Sequence, residues 1–217
     1  MTERGMIFNG EMVRALLDGR KTQTRRIMKP QPEVCSRGGH WWSSNVFKTM
    51  LHVEEEMQNG KGGWGGLVGG ACPFGAVGDR IWVRETWAEA GGNAPELQLY
   101  RANYPDHVPS HYEHLKPAEE IRWRPSIHMP RWASRITLEI TDVRVERLQN
   151  ISQRDAVAEG MPPSRPSIDA VSQGLGYPDF PRSAFAQIWQ SIYGADSWQA
   201  NPWVWVIEFK RVDREAV

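Results

Sequence analysis

Gly19-Arg20-Lys21-Thr22-Gln23-Thr24-Arg25-Arg26 packs a lysine, two threonine hydroxyls and three arginines into eight residues. Arginines crowded around a lysine disfavour its ammonium, so its pKa falls and the neutral amine becomes usable as a base. A threonine beside such an amine can become a nucleophile. The same residues can equally form a solvated basic turn that holds phosphate, and the segment alone leaves both readings open. Upstream, Asn9 can cap a helix from Gly10 to Asp18, with Glu11 in the first turn, Met12, Val13, Leu16 and Leu17 on one face and Gly19 as the stop. The basic motif therefore begins where this helix ends.

Strands dominate the remaining pattern. Gly78-Asp79 predicts a turn, followed by a strand from Arg80 to Trp87 with bulk on both faces, which suits a barrel or a covered strand. From Ile136 to Arg147, Ile136, Leu138 and Ile140 face one way, after which the apolar parity flips to Val143 and Val145. A bulge near Thr141 and Asp142 would restore the pattern and bend the strand. Trp203, Trp205, Ile207 and Phe209 alternate with Val204, Val206 and Glu208, which predicts a strand apolar on both sides and central to its sheet. Ser152 and Asp155 cap a short helix that stops at Gly160, leaving Glu159 in its last turn. Phe185, Ile188, Trp189 and Ile192 mark an amphipathic helix before Gly194.

Between these elements lie three expected insertions in a single domain spanning 1–217. Residues 31–75 carry the glycine pairs 38–39, 62–63, 65–66 and 69–70 and read as a long loop. Residues 88–131 hold Pro95, Pro105, Pro109, Pro117, Pro125 and Pro130 and read as irregular chain, with a brief strand near Leu97 to Arg101. Residues 162–182 form another proline-rich loop.

The chain balances 26 basic against 26 acidic residues over 217 positions, so no global field drives it onto nucleic acid or an anionic membrane. Any basic site is local. Only Cys35 and Cys72 are present, and no apolar run has the length of a membrane span or signal-peptide core, which points to a reduced, soluble, cytoplasmic protein. Eleven tryptophans suit base stacking as well as core packing.

Two acid-free basic segments stand out. Arg20 to Lys29 holds five cations, and Arg122 to Arg135 holds four, with Trp123 and Trp132 interleaved among Arg122, Arg124 and Arg131. Cations with flat rings can form a strand or nucleotide site; the same residues can also be core tryptophan and solvated arginine. Glu159 meets the unfavourable end of its helix dipole, a local violation of the kind that marks functional sites, although a solvated glutamate on a frayed turn would look the same. Glu85 and Glu208 are rival carboxylates. Cys35, His40, His52 and Cys72 could supply four zinc ligands, but their spacing fits no compact finger or ribbon, and no metal or cofactor is expected. No Walker loop, dinucleotide fingerprint, HExxH or Gly-x-Ser-x-Gly elbow is present.

The chain resembles ASCH-domain proteins. The resemblance rests on Gly19-Arg20-Lys21-Thr22-x-Thr24-x-Arg26 after the first helix, Gly78-Asp79 before a strand, and the closing Val204-Trp205-Val206-Ile207-Glu208-Phe209. In length, and in the segment Ser126-Ile127-His128-Met129-Pro130-Arg131-Trp132, it is similar to the longer members encoded by tailed phages and prophages. It implies an α+β fold, a small PUA-like mixed β-barrel with flanking short helices and long loop insertions, in the cytoplasm of a bacterial host. The family is expected to bind RNA or nucleotides, and its small bacterial members include amidohydrolases that deacetylate N4-acetylcytidine. Their catalytic lysine and threonine fall on Lys21 and Thr24, and their glutamate on Glu159, with Arg20 or Arg26 available to an oxyanion or a phosphate. Arg26 can alternatively brace the barrel. The partner implied is a modified nucleoside or RNA; the alternatives are a non-catalytic RNA-binding PUA-like module and a ribonuclease using the same lysine. In a regular strand Lys21 and Thr24 would face opposite ways, so the chain after Gly19 must turn or bulge to bring them together.

Overall fold

The computed structural model describes residues 1–36, 38–59, 67–91, 94, 96–112 and 116–212 and shows a mixed α and β fold. In chain order its regular elements are β1 (Glu3–Ile7), α1 (Gly10–Leu17), β2 (Gln23–Ile27), β3 (Glu33–Val34), β4 (His40–Ser44), β5 (Thr49–His52), α2 (Val68–Ala71) and β6 (Arg80–Arg84). They continue as β7 (Trp87–Glu89), β8 (Gln98–Tyr100), β9 (Thr137–Arg147), α3 (Gln153–Ala158), α4 (Pro166–Gly174), α5 (Phe180–Tyr193) and β10 (Trp203–Val212). The main sheet runs β1-β6-β9-β10-β2, parallel between β1 and β6 and antiparallel elsewhere.

β9 and β10 form the spine of this sheet because both are β-branched and aromatic along their length. Their register shifts between Glu208 and Phe209: Glu208 faces Asp142 and Phe209 faces Ile140, which leaves Thr141 as the extra residue. The bulge reconciles two out-of-phase apolar halves, so Leu138, Ile140, Val143 and Val145 are all buried. Both faces of β10 are covered, as its sequence requires. Trp203, Trp205, Ile207 and Phe209 join the core shared with β1, β6 and β9. Val204 and Val206 pack on the opposite side with Leu148, Phe185, Ala186 and Trp189, under α5. Among the described residues six tryptophans, Trp42, Trp87, Trp189, Trp198, Trp203 and Trp205, are buried, so packing accounts for much of the aromatic excess.

Several expectations need correction. The strand from Arg80 is not continuous to Trp87: it ends at Arg84, Glu85 turns inward to Arg135, and β7 restarts in a separate hairpin with β8. Residues 31–75 are not a bare loop. They contain the antiparallel sheet β3-β4-β5 and α2, and bury Trp42, Leu51, Val53 and Val68 in the main core. Short, polar-flanked strands carry too little periodicity to be seen in sequence. The glycine pairs 62–63 and 65–66, with Pro95, lie outside the described residues. The proline-rich stretch 162–182 holds α4, because Pro166 sits at the tolerated start of a helix and Asp169 in its first turn complements the dipole. Strand pairing among the described residues leaves β1 and β2 as free edges, without the ladder that would close a barrel. No helix among them is long and apolar enough to cross a membrane.

Trp205 is fully buried and meets the Trp42 ring edge-on, with centroids 5.4 Å apart. Trp205→Ala should therefore cost about 3–5 kcal/mol in urea unfolding. Ile127→Ala, at a 60% exposed position, should stay within about 0.5 kcal/mol of wild type.

Candidate functional site

Two helix ends meet at Lys21. α1 begins with the Asn9 side chain accepting from the Met12 amide at 2.8 Å, and ends at Gly19, whose φ of +73° turns the chain away from the helix. The Lys21 amide then donates to the Ala15 carbonyl, 3.0 Å away, and the Thr22 amide to Ala158, 2.8 Å away. Residues 20–22 thus stitch α1 to α3 before β2 begins, and Lys21 forms an antiparallel bridge with Glu159. The expected departure from strand geometry after Gly19 is this turn, so strand parity does not set the direction of Lys21 relative to Thr24. On the other side, Ser152 and Asp155 form the predicted capping box of α3, and Glu159 is its C-cap. Gly160 follows at φ +100°, where a Cβ would lie 2.9 Å from that of Ala15 and 3.5 Å from that of Lys21. Only glycine lets the two helix ends approach so closely.

The side chains converge as tightly as the backbone. Lys21 Nζ donates to Glu159 Oε2 at 2.6 Å and to the Glu159 carbonyl at 2.9 Å, while Arg25 Nη1 donates to Oε1 at 3.2 Å. Lys21, Arg25 and Glu159 are each no more than 3% exposed. Burial pulls the Lys21 pKa below the usual lysine value, and Arg26 and Arg25 add to the shift; Glu159 opposes it without cancelling it. Arg25 also pairs with Glu146 and lies 3.6 Å from Asp155. Arg144, which shares a cross-strand row with Val206 and Arg25, bonds Asp155 at 2.9 Å and pairs with Glu208. For Asp155, burial favours the neutral acid, but Ser152, Arg25 and Arg144 outweigh it and hold the carboxyl below its usual range. The result is a chain of alternating charges running from Lys21 to Glu208.

Glu159 also borders two cavities. It lines a cleft of about 640 Å³ together with Asn9, Met12, Arg14, Arg20 and Ile188. It likewise lines a smaller cavity of about 150 Å³ that contains Thr24, Arg25 and Arg26. Thr24 and Glu159 therefore share one cavity wall, with Lys21 hydrogen-bonded behind the carboxylate. Arg20 sits at the cleft with Nη1 on the Gly160 carbonyl at 2.9 Å and its other nitrogens on Asp18. Arg26 Nη2 donates to the Ile7 carbonyl at 2.8 Å, with the guanidinium 5.3 Å from the centre of the Phe8 ring. Among the described residues of 31–75, 88–131 and 162–182, only the last stretch reaches the cleft, through Pro162 and Phe180.

The second basic segment lies elsewhere. Arg131 pairs with Glu3 at 2.8 Å, Arg124 pairs with Glu89 and packs on Trp87, and Trp123 donates to the Ala118 carbonyl. Arg122 is exposed, and Trp132 is 56% exposed with its ring edge-on to Trp87. None of these residues lines the cleft or the smaller cavity. Cys35, His40, His52 and Cys72 are not gathered: His40 and His52 flank Glu54, while Cys72 is packed in the core, where burial raises its thiol pKa to about 11. No group of three metal-ligating side chains occurs among the described residues. Sequence reasoning placed Arg25 only as a neighbour of Lys21 and passed over Glu146, Asp155 and Arg144 as site residues. The one available signal was the run of charges at alternate positions in β9, opposite an entirely apolar Val204 and Val206.

Because the folded chain releases the Lys21 proton below the ordinary value of 10.5, the unfolded state holds more protons between those two pKa values. Folded stability should rise with pH across that window; the gain is absent below the folded pKa and complete above the ordinary one. Urea titrations of wild type and Lys21→Met from neutral to alkaline pH should show this rise only in wild type. A pH-independent difference would mean that the amine keeps its proton. No family model, curated protein or solved structure matches this chain, so its own residues carry the functional argument.

Proposed function

We propose that this is an ASCH-type, PUA-like protein whose Lys21, Thr24 and Glu159 form an amidohydrolase site for N4-acylated cytidine or a related modified nucleoside. One observation carries the reading: a lysine and a glutamate 138 positions apart are buried together at 2.6 Å, with the glutamate on the wall of a cleft. A buried ion pair is poor economy for stability alone, since desolvation offsets most of the attraction. A base with a lowered pKa, one hydrogen bond behind a carboxylate that borders a cleft, suits acyl transfer. The cleft volume is within the range that encloses a nucleoside-sized ligand. The barrel-like character of the sheet is supported by the Arg26 side chain, which joins the free edge β2 to the end of β1 through the Ile7 carbonyl.

In this reaction Thr24 Oγ adds to the exocyclic amide carbonyl while its proton passes to neutral Lys21. The carbon–N4 bond then breaks, and Lys21 returns the proton to N4, releasing cytidine. Water next attacks the Thr24 ester, its proton passing to the same amine; the carbon–Oγ bond breaks, Lys21 returns the proton to Thr24 Oγ, and the carboxylic acid leaves with Thr24 and neutral Lys21 restored. Glu159 orients Lys21 throughout, and Arg25 holds the other oxygen of Glu159 so that the carboxylate cannot swing. Arg20, which lines the cleft, is available to an incoming oxyanion or phosphate.

Purified protein incubated with N4-acetylcytidine should convert it to cytidine, followed by ultraviolet absorbance. Lys21→Ala should lower kcat/KM by about 10²–10⁴-fold. The wild-type rate should climb with pH until Lys21 is neutral and then level off. Absence of turnover, together with RNA binding that weakens steeply with salt, would replace the hydrolase with an RNA-binding module.

A further inference from the structure

A further cavity, of about 280 Å³, lies beside the start of α1 and is lined by Gly10, Arg14, Glu85, Thr86, Arg101 and Ala102. Its charge is unusual for a chain that is neutral overall. Arg14 bonds the Ala102 carbonyl at 2.7 Å through Nη1 and forms no ion pair with a described residue. Arg101, exposed at the start of a short 3₁₀ turn, has no ion pair or side-chain hydrogen bond with any described residue. The one carboxylate in the wall is already committed: Arg135 grips both oxygens of Glu85, at 2.9 and 3.0 Å, and is itself fixed by Asn103 and stacked 4.0 Å from the Tyr100 ring centre. Glu85 and Arg135 cancel, which leaves two guanidinium groups facing a small polar space without a counter-charge.

Position gives this space its meaning. Arg14 lines both this cavity and the large cleft that Glu159 borders, so the two adjoin at one side chain. Its guanidinium is held in place over Gly10, with Nη1 3.5 Å from where a Cβ on that residue would stand.

We propose that this cavity binds a phosphate group, held by Arg14 and Arg101, and that the cleft and the cavity together take a nucleotide or the phosphorylated end of an oligonucleotide in preference to a free nucleoside. The second half rests on the nucleoside reading of the cleft; the first does not. Guanidinium groups recognise phosphate oxygens through paired charge-assisted hydrogen bonds, and the volume admits one or two phosphates. Thr86 adds a hydroxyl donor to the wall.

Calorimetric titration with inorganic pyrophosphate tests the cavity without reference to hydrolysis. Wild type should bind it, and Arg101→Ala should bind about tenfold more weakly, as expected for losing one charge-assisted contact. Equal binding by the two proteins, or no binding to wild type, would overturn the phosphate site. A parallel titration compares cytidine 5′-monophosphate with cytidine. The nucleotide should bind more tightly to wild type, and Arg101→Ala should erase that advantage while leaving cytidine unchanged. If both bind equally to wild type, or if Arg101→Ala weakens both alike, the link between cavity and cleft is wrong. Pyrophosphate bound at the cavity with neither cytidine compound bound would sink the nucleoside reading while the phosphate site stands.

Discussion

Burying a cation costs more than most folds can offset, and Lys21 is affordable here only because Glu159 meets it at the same depth. That pairing constrains much of the surrounding chain. α1 must stop at Gly19, α3 must stop at Glu159, and a glycine must follow so that the two helix ends can touch. Arg25 must then face the same carboxylate from β2, which fixes β2 against β10, and its own charge must be met by Glu146 from β9 and Asp155 from α3. Removing either member of the central pair strands the other without its partner in a water-poor interior.

The polar chain behind the pair also explains why this side of the sheet is not apolar throughout. Val204 and Val206 supply hydrophobic contact to α5, and the flanking positions on β2 and β9 supply charge. A central apolar strand with charged neighbours keeps the ion pairs away from bulk water while holding them in register. This is a way of fixing the position of a base: Lys21 has few alternative rotamers when its ammonium is bound to a side chain and a backbone carbonyl of one residue.

The parts legible in sequence are those governed by local rules. Asn9, Gly19, Ser152, Asp155 and Gly160 are capping residues, and each sits where capping chemistry places it. The bulge at Thr141 was visible as a parity flip because both halves of β9 are strongly apolar. The meeting of Lys21 with Glu159 came from resemblance and not from periodicity, since nothing local links positions 138 residues apart. β3, β4 and β5 were hidden because only Trp42, Ser44 and Leu51 of their residues are buried, too few to set a period. The Arg122 to Arg135 segment was misleading in the other direction: a run of like charges in sequence separates in space into individual pairs with Glu3, Glu85 and Glu89. Sequence proximity reports charge density along the chain, whereas recognition depends on density at a surface.

The small sheet of residues 33–52 has a consequence for how this chain can be shortened. Trp42 of this sheet stands against Trp205, and in the turns that follow it Gln58 donates to the Val145 carbonyl and Asn59 to the Val143 carbonyl, so the segment through residue 59 is wedged into the same interior as the last strand. Excising it would uncover the most deeply packed tryptophan of the main sheet. The segment acts as a keystone, and the fold cannot be shortened there by deletion alone.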